Sequence, residues 1–87
     1  MYVILVYDVN VSRVGRVLKV GRRYLTWVQN SVLEGELSRG QYERLKAELR
    51  GVIEPSEDSI VLYRLRSADW LERDTMGAVK GEPSWMV

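Results

Sequence analysis

Eighty-seven residues suffice for one domain with a single modest core, to which dimerisation would be a natural supplement, and 46% hydrophobic with 29% charged residues argues against a disordered chain. The sequence holds no His and no Cys, which excludes disulfides, thiolate nucleophiles, Cys/His zinc sites and His-based triads and leaves carboxylate, hydroxyl and cationic side chains for any chemistry. The net charge of +1 hides a division: as far as Asn30 the one acid is Asp8, against Arg13, Arg16, Lys19, Arg22 and Arg23, whereas acids outnumber bases from Ser31 onward, so an anionic partner is expected at the first half.

The chain opens on Tyr2-Val3-Ile4-Leu5-Val6-Tyr7, without the basic flank of a secretory signal, and no apolar run approaches the roughly 20 residues of a membrane helix. A cytoplasmic protein with no membrane partner is expected. Residues 2–9 are apolar, aromatic or β-branched almost throughout, which predicts a central strand covered on both faces. Asn10 or Ser12 can cap a following helix with Val14, Val17, Leu18, Gly21 and Leu25 inward and a basic outer face. Gly15 and Gly21 are costly inside a helix, so each marks either close packing or backbone approach to a ligand.

Alternation from Thr26 to Leu37, broken by Asn30-Ser31, predicts a hairpin. Ser38-Arg39-Gly40-Gln41 has the pattern of a capping box and opens a second helix, with Tyr42, Leu45, Leu49 and Val52 as its apolar stripe and Gly51 at its end. After the polar linker 54–58, the run Ser59 to Arg66 alternates as a fourth strand. This order, β-α-β-β-α-β, is that of a ferredoxin-like α+β sandwich over residues 1–66. Residues 67–87 carry Trp70, Leu71, Met76, Val79, Trp85 and Met86, too much apolar surface to hang free. They are expected to contact a second copy or another partner, a strand added to its sheet being one way to do so.

Asp8 is the sharpest chemical feature, because a carboxylate ending an apolar strand must reach solvent or be compensated by a metal, an Arg or backbone N–H groups. The plain alternative is that it accepts hydrogen bonds from the next loop or the helix N-terminus. Mg²⁺, or Mn²⁺, is often held by one or two carboxylates with water and substrate phosphates, and a two-fold dimer would bring two copies of Asp8 together. Arg13 and Arg16 stand at the start of the first helix, near the strand end that carries Asp8, with Lys19, Arg22 and Arg23 prolonging the basic stripe; together they suit phosphate groups, although solvated charge is the commoner fate of each alone. Ser31 can offer a hydroxyl to phosphate or serve only the turn.

Three motifs in order, Val6-Tyr7-Asp8-Val9, then Val28-Gln29-Asn30-Ser31-Val32 with Glu34, then Asp58-Ser59-Ile60, resemble the small CRISPR-associated endonuclease of the spacer-acquisition (adaptation) module. The likeness spans about residues 1–66. It implies a ferredoxin-like homodimer, Mg²⁺-dependent hydrolysis of phosphodiesters in RNA or double-stranded DNA, and assembly with the larger adaptation integrase. The family's metal-binding aspartate maps onto Asp8. The chain departs from the family pattern at Leu33, where Phe is usual, at Leu25-Thr26-Trp27, and at Asn10, where a second acid is common. The expected function is therefore a metal-dependent endonuclease with Asp8 catalytic and Arg13, Arg16, Lys19, Arg23 and Ser31 at the nucleic acid. The alternatives are a non-catalytic dimeric scaffold for DNA and integrase, and a toxin-like ribonuclease. An RRM-type RNA-binding domain is disfavoured, since there is no Phe and no aromatic signature on the strands.

Overall fold

The computed structural model describes residues 1–78. Over these the chain forms β1 (Tyr2–Asp8), α1 (Val11–Arg22), β2 (Thr26–Gln29), β3 (Val32–Glu36), α2 (Arg39–Arg50) and β4 (Ser59–Leu65), then a short 3-10 turn at Ala68–Trp70. The strands make one antiparallel sheet in the order β2-β3-β1-β4, which is the ferredoxin-like α+β arrangement. No helix is long and apolar enough to cross a membrane among the described residues.

The apolar run of β1 places it between β3 and β4, but only one of its faces is closed. Val3, Leu5 and Tyr7 are buried in one cluster with Val17 and Val20 of α1, Leu33 of β3, and Tyr42, Leu45 and Leu49 of α2. Each such side chain contributes about 1.5–3 kcal/mol by leaving water. Tyr2, Ile4 and Val6 point the other way and are half-buried, so the expected cover on both faces is absent within these 78 residues. Both helices pack on the same side of the sheet, and the register leaves Tyr2 beside Leu65, Ile4 beside Tyr63 and Val6 beside Val61 on the opposite side.

Asn10 is the cap of α1, its side chain accepting from the Ser12 backbone N–H at 2.9 Å and the Ser12 hydroxyl at 2.8 Å. The two helix glycines differ in meaning. A Cβ on Gly21 would stand 3.1 Å from Leu33 Cδ2, so the residue lets α1 approach β3, whereas a Cβ on Gly15 would meet nothing within 4 Å. The capping box of α2 is complete, with Gln41 N–H donating to Ser38 Oγ at 3.1 Å and Ser38 N–H to Gln41 Oε1 at 2.9 Å. The β2-β3 turn is Asn30-Ser31, with Asn30 at φ 42°, a region Asn tolerates.

Beyond β4 the described residues add no strand. Residues 73–76 line an open cleft with Val28 and Gln29, and Arg73 pairs with Glu34, a buried carboxylate on the face away from the helices. Arg73 is thus tied to the chain's own sheet. Val79, Trp85 and Met86, which were expected at a partner, fall outside the described residues.

Candidate active site

Asp8 is the last residue of β1 and stands opposite Ser59, the first of β4, on the face away from the helices. The same end of the sheet gathers the N-terminus of α1 and the Asn30-Ser31 turn. That turn is braced from below: the Asn30 carbonyl accepts from the Tyr7 hydroxyl at 3.1 Å and from Trp27 Nε1 at 2.9 Å, and the Ser31 carbonyl accepts from the Tyr7 N–H at 3.0 Å. Burial pushes the Tyr7 phenol up, with the Ser31 hydroxyl and Arg22 opposing. The Ser31 backbone therefore braces the turn against Tyr7.

Asp8 is exposed, and its carboxylate takes no ion pair or side-chain hydrogen bond among the described residues. The loop after β1 is instead satisfied by Asp58, a residue of the Asp58-Ser59-Ile60 motif to which the sequence alone assigns no role. Its side chain is fully buried. Oδ1 accepts from Asn10 N–H at 2.9 Å and from Arg13 Nη2 at 3.0 Å, while Oδ2 accepts from Arg13 Nε at 2.5 Å and Glu54 N–H at 2.8 Å. The Arg13 guanidinium, aided by the Glu54 and Asn10 N–H groups and opposed by burial, holds the Asp58 carboxyl well below the usual carboxylate range. The same contact raises Arg13, which also reaches Glu57 at 3.1 Å.

Two of the five bases of the stripe are thus engaged by acids from the second half of the chain. Arg13 is held by Asp58 and Glu57, and Arg23 by Glu48, which also accepts from the Tyr24 hydroxyl and thereby raises that phenol. The isolation of these bases from acids held along the sequence and not in space. Arg16 and Lys19 are exposed and make no ion pair among the described residues, and Arg22 lies 5.6 Å from the Trp27 ring centroid. Of the residues expected at a nucleic acid, Arg16 and Lys19 retain unengaged charge.

The donor set suits a hard cation. Asp8 offers exposed carboxylate oxygens, and among the described residues no group of three or more His, Cys, Asp or Glu side chains is placed to hold a metal ion, so the candidate site rests on this carboxylate with other ligands to come from outside the chain. That matches Mg²⁺, which keeps most of its waters and takes its remaining ligands from phosphates or a second chain.

The family model "CRISPR associated protein Cas2" matches residues 1–73. A protein of Thermotoga maritima named CRISPR-associated endoribonuclease Cas2 is 52% identical over 86 residues, 99% of each chain. A relative from Archaeoglobus fulgidus named CRISPR-associated endoribonuclease Cas2 2 is 57% identical over 81 residues, covering 93% of this chain and 88% of its own. Among solved structures, the fold superposes on a crystal structure of Cas2 with a TM-score of 0.85 and 44% identity, covering 92% of this chain and 90% of that one. With the motif-bearing strands, the sheet order and the exposed Asp8 all in place, the chain belongs to the Cas2 family of CRISPR-associated proteins.

Proposed function

We propose that this chain is a metal-dependent endoribonuclease in which Asp8 is the catalytic, metal-binding residue. The observation that carries the reading is the uncompensated, exposed carboxylate at the end of a central strand, at a position whose plain structural duty Asp58 has taken over. The names of the relatives, endoribonuclease in each case, supply the substrate class. When bound, Mg²⁺ lowers the pKa of water and stabilises charge on the scissile phosphate. Asp8 would hold such an ion through its carboxylate oxygens, and a second copy of the chain would supply its own Asp8. Arg16 and Lys19 hold the strand through its phosphates, with Arg22 beside them.

The wider assignment follows the same line: a homodimer closed over the sheet face opposite the helices, working with the adaptation integrase in spacer acquisition. Cleavage of labelled single-stranded RNA and duplex DNA, with Mg²⁺ or with chelator, tests the activity. Chelator-sensitive cleavage of RNA is expected. Salt-sensitive binding of duplex DNA with no cleavage would replace it with the scaffold reading. In either case Arg16→Ala and Lys19→Ala should each reduce the salt dependence of binding by about one phosphate, a slope change of about 0.7 on single strands and 0.9 on duplex.

A further inference from the structure

We infer that Asp58 is a positioning residue for the Asp8 site, acting through the loop that joins β1 to α1. The inference rests on the assignment of Asp8 as the metal-binding residue and adds a second carboxylate that never meets the substrate.

The geometry is that of a clamp at a junction of three segments. Four donors converge on the two Asp58 oxygens, one from Asn10, two from Arg13 and one from Glu54, so the carboxylate is fully satisfied and reaches no further ligand. Asn10 lies two residues past Asp8 and is itself the cap of α1, so its backbone is held from both sides. Asp58 immediately precedes Ser59, the residue paired with Asp8 across the β1-β4 ladder. The segment on which Asp8 sits is therefore pinned before its carboxylate by the ladder and after it by Asp58. Successive residues of β4 face opposite sides, which lets Asp58 turn toward the helices while Asp8 stays on the outer face.

Stability alone is a weak reason for such a pair, since a well-packed apolar pair often serves a buried site as well. A metal ligand makes a sharper demand, because a carboxylate displaced by an ångström loses much of its effect on the reacting phosphate. Arg13 belongs to the same device: its guanidinium bridges Asp58 and Glu57, fixing the first turn of α1 to the linker before β4.

The test compares wild type, Asp58→Asn, Arg13→Lys, Asp8→Ala and the core variant Leu45→Val, each at a temperature where circular dichroism shows it folded. Two quantities are read: single-site kinetics on labelled RNA at saturating Mg²⁺, and Mn²⁺ affinity from water-proton relaxation without nucleic acid. Asp58→Asn should lower kcat about tenfold with KM within about twofold, and weaken Mn²⁺ severalfold; Leu45→Val should lower the melting temperature and leave both readouts unchanged. Should Asp58→Asn fail to fold, Arg13→Lys, which keeps the charge and loses the two-pronged contact, should show the same kcat loss in smaller measure. Wild-type kcat and Mn²⁺ affinity in Asp58→Asn, or in Arg13→Lys where that variant stands in, would overturn the proposal and leave the pair a structural brace. Full activity in Asp8→Ala would remove the metal-site reading and this inference with it, whereas an inactive Asp8→Ala beside a fully active Asp58→Asn overturns this inference alone.

Discussion

Two carboxylates at one end of the sheet have opposite fates. Asp8 was legible as a polar end to an apolar strand; Asp58 was not, because its partner Arg13 is 45 positions away in sequence and the linker around it reads as ordinary polar loop. Only the fold brings the start of β4 beneath the loop after β1. The pair has a consequence for acid stability. Asp58 titrates near 3.8 when unperturbed and lies lower in the folded chain, so below pH about 5 the unfolded chain binds more protons than the folded one. The contribution of Asp58 is then complete above that ordinary value and is lost as pH falls toward the folded one. Thermal melts should show a falling midpoint from about pH 5 downward, and Asp58→Asn should flatten the decline.

At the scale of elements, periodicity and caps were enough. Ser38 and Gln41 close their box as the spacing predicts, so Ser38→Ala should cost about 1 kcal/mol in denaturant unfolding. Leu5 lies wholly buried at the centre of the sheet, and Leu5→Ala should cost about 2–5 kcal/mol by the same measurement. What periodicity did not convey was Val20 as a core residue and the register shift between Trp27 and Gln29. Val20 was missed because the stripe was drawn through Gly21, and a bulge has no signature in an alternating run of four residues. The shift leaves Trp27 beside Leu33, with its indole N–H on the hairpin turn next to the site.

The whole molecule presents one unfinished surface. On the sheet face without helices, Val61 is 42% and Tyr63 55% exposed, beside half-buried Tyr2, Ile4 and Val6. The sequence indicated that this face needed a cover, from the nearly unbroken apolar run of β1, but not that Arg73 would reach back to Glu34 on the chain's own sheet. A dimer closed over this face predicts that Tyr63→Glu shifts sedimentation toward monomer at concentrations where wild type is dimeric. Such a dimer would also bring together the two Asp8 carboxylates on which the proposed chemistry depends. The most direct measurement is the Mg²⁺-dependent cleavage rate of labelled single-stranded RNA by wild type and Asp8→Ala at matched folding. A loss of at least a hundredfold in the variant, with RNA binding retained, is the predicted result; equal rates would contradict Asp8 as the catalytic metal ligand.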